Sequence, residues 1–168
     1  FLYLTAGLAS QKVKITDLGQ STTPFCLWYS QKYKIDALTI TASHNPKDQN
    51  GLKIFLAKSG AIDKDSGLLK VKARFDNLSF NLNPMDTKSA ASFFIKGDLE
   101  KTILEYQRFL TSQAQKISPK LKVALDFSSG MTAPELVPAL EKIGVHFLTI
   151  NEVPNGNFPD HGPDPLAE

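Results

Sequence analysis

The chain has 168 residues, 42% of them hydrophobic and 10% aromatic, with 19 Lys and Arg against 17 Asp and Glu for a formal net charge of +2. That length and apolar content suit one globular domain, or slightly more, with a real core, and the scattered charge offers no basic stripe for a nucleic acid. No apolar run approaches the ~20 residues of a membrane span, and the single cysteine, Cys26, excludes an intrachain disulfide and fits a reducing, cytoplasmic setting.

The chain opens on Phe1-Leu2-Tyr3-Leu4 with no basic segment before it, so a signal peptide is not expected there. The opening reads instead as the inside of a helix whose start is missing. The end, Pro165-Leu166-Ala167-Glu168, carries no stop signal, and truncation at both ends is expected. Val13 to Leu18 alternates like a strand and is broken by Gly19. Thr23-Pro24 then supplies an N-cap and a first-turn proline for an apolar helix from Phe25 to Tyr33. Cys26 lies in that helix, where a buried structural thiol is expected. Ala37-Leu38-Thr39-Ile40-Thr41 reads as a buried parallel strand. Asn50-Gly51 reads as a turn before a further strand, Leu52 to Leu56.

Lys64 to Arg74 predicts a helix with Leu68, Leu69 and Val71 turned inward, and residues 77–92 read as loop. Asp98 to Gln113 is a helix with Asp98 as N-cap and Leu99, Ile103, Tyr106 and Leu110 on one face. After a boundary near residues 116–120 comes a βαβ unit. Its parts are a strand over Leu121 to Asp126, a helix from Pro134 to Ile143 closed by Gly144, and a strand over Val145 to Ile150.

The chemistry concentrates at Thr41-Ala42-Ser43-His44-Asn45-Pro46. α/β proteins place ligands beyond the carboxyl ends of their strands. A hydroxyl, an imidazole and the ammonium of Lys53, all within one strand-turn-strand unit, make a phosphoryl-transfer nucleus. The lysine supplies positive charge where phosphoryl oxygens gather negative charge. The spacing alone leaves another reading open, in which Ser43 caps an Asn-Pro turn and His44 is a surface histidine. A hydrolase triad does not fit, because Ser43 lacks the Gly-x-Ser-x-Gly elbow. Asp63-Lys64-Asp65-Ser66-Gly67 fails as a calcium loop, since Arg74 stands at the twelfth position, and reads as a turn and helix cap. Asp160, His161 and Asp164, interleaved with prolines, read as a rigid loop rather than a metal site.

Ser43-His44-Asn45-Pro46 followed by Asn50-Gly51-Leu52-Lys53-Ile54 resembles the active-site signature of the α-D-phosphohexomutases, the phosphoglucomutase and phosphomannomutase superfamily. Thr22-Thr23-Pro24, Val123 to Asp126 with Gly130, and Asn155-Gly156-Asn157-Phe158-Pro159-Asp160-His161 are similar to further landmarks of that family, in its order. The resemblance implies an α/β fold, a mixed sheet sandwiched between helices (domain I), followed by the beginning of a second similar α/β domain. The expected division is 1–117 for domain I, truncated at its N-terminus, and 118–168 for the start of domain II, truncated at its C-terminus.

For function it implies an intramolecular phosphotransferase, an isomerase that interconverts hexose 1-phosphate and hexose 6-phosphate, of mannose or glucose, through a 1,6-bisphosphate. Ser43 would be the phosphoserine, with His44 and Lys53 as its catalytic partners and Asn45 and Lys53 binding substrate. The cofactors implied are Mg²⁺, with the phosphate on Ser43 as one ligand, and hexose 1,6-bisphosphate as activator. The other metal ligands, an aspartate triplet, together with the sugar-selecting loop and the phosphate-binding domain, would lie outside this chain, which is therefore expected to be inactive alone. The partner expected is a small hexose phosphate, with no nucleic acid and no membrane. Two competing readings are phosphoglucosamine mutase and a non-catalytic sugar-phosphate-binding module of the same fold.

Overall fold

The computed structural model describes residues 1–77, 92–114, 121–164 and 166. The loop expected over residues 77–92 and the boundary near residues 116–120 lie almost wholly outside the described residues. The chain forms two compact units, one of Phe1–Gly19 with Ala61–Leu99 and the other of Gln20–Gly60 with Glu100–Glu168.

In the first unit, α1 (Leu2–Ser10) leads into β1 (Ile15–Asp17), which pairs in parallel with β5 (Phe94–Lys96) in the register Ile15↔Phe94 and Asp17↔Lys96. β5 was not expected from the sequence, although Phe93-Phe94-Ile95 carries the aromatic and β-branched signal of a strand. Asp63 caps the next turn by accepting from the backbone N–H groups of Asp65 and Ser66 at 3.0 and 2.8 Å, as its acidic side chain suits it to do. That turn, Lys64–Leu68, is wide, with the Leu68 N–H donating to the Asp63 carbonyl five residues back at 2.8 Å.

Gly67, at φ 152°, breaks the turn from α3 (Leu69–Asp76). The single inward face expected from Lys64 to Arg74 therefore does not form. Leu68, Leu69 and Val71 are 43, 58 and 48% exposed.

The second unit carries α2 (Thr23–Tyr33), β2 (Ala37–Ile40), β3 (Leu52–Leu56), β4 (Gly60–Ala61) as far as Gly60, the α4 helix (Leu99–Gln113) from Glu100 onward, β6 (Lys122–Asp126), α5 (Ala133–Lys142) and β7 (His146–Ile150). The N-cap of α2 is Thr22, one residue earlier than expected, and its hydroxyl accepts from the Phe25 N–H at 3.2 Å with Pro24 in the first turn. Lys34 closes the helix in the left-handed conformation at φ 56°.

The core gathers on α2 and α4. Phe25 is fully buried, 5.4 Å from the Tyr106 ring and 5.8 Å from Trp28, and Trp28 lies 6.1 Å from Phe109. Lys32 and Tyr33 of α2 both donate to Glu105 of α4. Cys26 is buried as expected, and burial pushes its thiol upward, partly offset by the Thr39 hydroxyl. β6 and β7 pair in parallel from Lys122↔His146 to Asp126↔Ile150 around α5, the βαβ unit read from the sequence. Gly144, at φ 74°, ends α5 as its position suggested.

β2 departs from expectation. It pairs antiparallel with β3, from Ala37↔Phe55 to Ile40↔Leu52, at the edge of the order β2-β3-β4. It is half-buried, with Ile40 exposed. A short apolar run does not fix strand direction, and two consecutive strands joined by one loop return antiparallel.

Candidate active site

The serine loop leaves β2 at Thr41 and enters β3 at Leu52. Thr41 N–H donates to the Gly51 carbonyl at 3.0 Å and so closes the loop at its base. Asn50-Gly51 is thus the return of a longer loop rather than a tight hairpin turn. Gly51 is required there for a spatial reason: a Cβ on it would stand 2.8 Å from the Thr41 carbonyl oxygen.

Within the loop, the Asn45 N–H donates to the Ala42 carbonyl at 3.1 Å, making Ala42 to Asn45 a turn. Ser43, its first central residue, has φ 59°. This is the pattern of a type II′ turn, where glycine is the usual occupant. A serine held there carries about 1 kcal/mol or more of backbone strain. The Ser43 N–H donates to the Thr41 hydroxyl at 3.0 Å and fixes this conformation. The Ser43 side chain is exposed, and its Oγ lies 3.4 Å from His44 Nδ1.

The structure therefore brings Ser43 and His44 together. It does not join the other two expected site residues to them by hydrogen bonds. Lys53 sits on β3 opposite Thr39, exposed and with no side-chain hydrogen bond or ion pair among the described residues. The Asn45 side chain is likewise exposed, and its backbone N–H makes the turn. Among the described residues, no group of three or more His, Cys, Asp and Glu side chains is placed to hold a metal ion. The described residues do not by themselves build a Mg²⁺ site.

Two long-range polar ties, one of which reaches the serine loop, were not expected from the sequence. Glu135 of α5, only 3% exposed, accepts from the Thr22 N–H at 2.7 Å and from the Thr22 hydroxyl, so a carboxylate faces the positive end of α2. Burial pushes the Glu135 carboxyl above its usual range, and the two bonds from Thr22 oppose the shift. Tyr106 is pushed upward by burial and by the nearby Glu135 charge. The sequence did hold a signal, since Glu135 stands four residues before buried Ala139 and so on the inward face of α5.

The second tie is a hydrogen bond from Lys47 Nζ to Asn157 Oδ1 at 3.1 Å, between residues that no local pattern links. The segment bearing Asn157 is itself fastened. Its His161 Nε2 lies 3.1 Å from Asp126 Oδ2, and the Asn155 N–H donates to the Ser129 carbonyl at 2.8 Å. The Ser128 N–H first, and then His161 and Asn151, hold the Asp126 carboxyl below its usual range.

Residues 2–82 match the family model described as phosphoglucomutase/phosphomannomutase, alpha/beta/alpha domain I. A phosphoglucosamine mutase of Clostridium novyi is 30% identical over 154 residues, covering 91% of this chain and 33% of that protein. A probable phosphoglucosamine mutase of Methanobrevibacter smithii is 29% identical over 167 residues, covering 98% of this chain and 36% of that protein. The chain thus spans about a third of the length of the curated relatives it matches. A crystal structure of a phosphoglucomutase/phosphomannomutase family protein from Burkholderia thailandensis superposes with a TM-score of 0.70 at 23% identity. It covers 96% of this chain and 34% of that one, a likeness of fold. With the domain I match, the relatives and the shared mixed α/β fold agreeing, residues 2–82 belong to the phosphoglucomutase/phosphomannomutase domain I family, and the chain as a whole is similar to mutases of that family.

Proposed function

We propose that this chain carries the phosphoserine loop of a hexose phosphate mutase, with Ser43 giving and taking back the phosphoryl group. The observation that carries the reading is the serine itself: exposed, held at φ 59° in a glycine-type turn, with an imidazole nitrogen 3.4 Å from its Oγ. A residue kept in a sparsely populated conformation at a loop tip is an expected device for aiming a reactive group.

In the forward step the P–Oγ bond of phosphorylated Ser43 breaks and a bond from phosphorus to a free sugar hydroxyl forms, giving the 1,6-bisphosphate. The sugar hydroxyl gives up its proton, and Ser43 Oγ gains one. The return step reverses this with the other phosphate of the sugar. His44 Nδ1 is within reach to hold or move the proton at Ser43 Oγ. Lys53 supplies positive charge from β3, and Asn45 shapes the turn and offers its amide to the sugar phosphate. Family resemblance points to Mg²⁺, which would balance phosphoryl charge with the Ser43 phosphate as one ligand.

The sugar is read from the relatives. Mannose and glucose phosphates follow from the family signature, whereas the likeness to the phosphoglucosamine mutase of Clostridium novyi favours glucosamine phosphate. The same proposal takes 1–117 as domain I and 118–168 as the start of domain II. Its partners are small hexose phosphates rather than nucleic acid or membrane. Among the described residues no helix is long and apolar enough to cross a membrane, and the lone buried Cys26 supports a cytoplasmic setting.

The test is turnover by the full-length protein of glucosamine 6-phosphate, glucose 1-phosphate and mannose 1-phosphate in coupled assays, with Ser43→Ala beside it. Turnover that vanishes in Ser43→Ala supports the proposal, and the preferred sugar settles the second question. Ser43→Ala turning over like the wild type refutes it.

A further inference from the structure

Among the described residues, the serine loop is tied to a distant part of the chain at one point. The bonds made by residues 42–50 stay local: Ser43 N–H to the Thr41 hydroxyl, Asn45 N–H to the Ala42 carbonyl and Gln49 N–H to the Pro46 carbonyl. Among the described residues, the hydrogen bond from Lys47 Nζ to Asn157 Oδ1 is the exception, and it crosses 110 positions of sequence. We propose that Asn157 is a positioning residue for Ser43, which it holds in place through Lys47. The proposal rests on the reading of Ser43 as the phosphoryl carrier.

The far side of this clasp is a firm support. The Asn157 N–H donates to Asn155 Oδ1 at 3.0 Å, and the Phe158 N–H to the Asn155 carbonyl at 3.1 Å. Asn155 is in turn bonded to Ser129 at 2.8 Å, and His161 to Asp126 at the end of β6 at 3.1 Å. Pro154 and Pro159 stiffen the backbone between them. Asn157 Oδ1 is thus presented from a fixed frame, while the other hydrogen bonds of the loop among the described residues are made within it.

The chemistry of the partner matters too. An aspartate in place of Asn157 would neutralise Lys47. A neutral amide instead orients the ammonium and leaves its charge on the loop, four residues from Ser43, where a sugar phosphate would arrive. A single exposed hydrogen bond also opens easily, so the clasp can release the loop. The buried Thr22–Glu135 tie cannot do this, because separating it would strand a carboxylate.

The test uses the full-length protein with Asn157→Ala, Lys47→Ala, the double variant and Asn157→Asp. Three quantities are read: the rate at which glucose 1,6-bisphosphate with Mg²⁺ loads phosphate onto Ser43, hydrogen exchange of residues 42–50, and the melting temperature. Each single alanine variant is expected to slow loading about tenfold, as a misplaced reacting group does, with exchange of the loop faster and the melting temperature unchanged. The double variant is expected to be no slower than Lys47→Ala, the mark of one shared interaction, and Asn157→Asp, which keeps the acceptor but neutralises Lys47, to keep the loop exchange of the wild type while loading more slowly than it. Loading at the wild-type rate in Asn157→Ala, or slowing in the double variant equal to the product of the singles, overturns the clasp alone. A wild-type protein that never carries phosphate on Ser43 overturns the reading of the serine, and the positioning role falls with it.

Discussion

Replacing Gly51 by alanine tests the loop geometry with a single methyl group. The added Cβ would stand 2.8 Å from the Thr41 carbonyl oxygen, whereas ordinary contacts of this kind begin at 3.4 Å. Thr41 cannot simply retreat, because its N–H is bonded to the Gly51 carbonyl at 3.0 Å and its hydroxyl holds the Ser43 N–H at 3.0 Å. The backbone two residues before Ser43 must therefore move by about half an ångström. A misplacement of about 1 Å costs on the order of a hundredfold in rate, so half of that distance corresponds to roughly tenfold. That is about 1.4 kcal/mol in the barrier. A stability loss of about 1–3 kcal/mol accompanies it, as for other overpacked sites.

The assay is the rate of phosphate loading onto Ser43 in the full-length protein, read by mass spectrometry of the Ser43 peptide. Gly7→Ala in α1 is the control, since a Cβ there meets nothing within 4 Å. It is expected to leave loading unchanged and to stabilise by about 0.5–1 kcal/mol. Loading in Gly51→Ala at the wild-type rate would refute the argument that the turn geometry aims the serine.

Phe25→Ala, at a fully buried site ringed by Trp28, Tyr29 and Tyr106, is expected to cost about 3–5 kcal/mol. That lowers the melting temperature by roughly 10 °C, and a cost below about 1 kcal/mol would show that the core lies elsewhere. Glu135→Gln removes a carboxyl whose folded pKa lies above its ordinary 4.5 because it is buried. Its contribution to stability is present below pH 4.5 and is lost as pH rises through the folded value. The wild type is thus expected to lose stability relative to Glu135→Gln as pH is raised from 4 upward, in paired melts across that range. A gap that stays constant, or moves the other way, contradicts the buried carboxylate.

Much of this molecule can be read from its residues. β3 runs over the residues that the sequence marks, and the βαβ unit has its strands and helix within a residue or so of their expected bounds, because strong periodicity and Gly144 leave little choice. The features that escaped depend on what lies across space. β2 looks parallel and buried by composition, but its direction is set by β3. Leu68, Leu69 and Val71 follow helical spacing, yet the break at Gly67 removes the common face. Ser43 and His44 are legible as a pair because they are adjacent in the chain. The ties from Glu135 to Thr22 and from Asn157 to Lys47 span more than a hundred residues, and no local pattern announces them.

The central claim is that Ser43 carries the phosphoryl group. The most direct measurement is phosphorylation mapping, by mass spectrometry, of the Ser43 peptide in the full-length protein from its native source, before and after incubation with hexose monophosphate. Phosphate is expected on Ser43, to disappear on incubation and to be restored by a hexose 1,6-bisphosphate with Mg²⁺. A Ser43 that is unmodified and cannot be loaded contradicts it, and leaves a sugar-phosphate-binding module in a mutase fold.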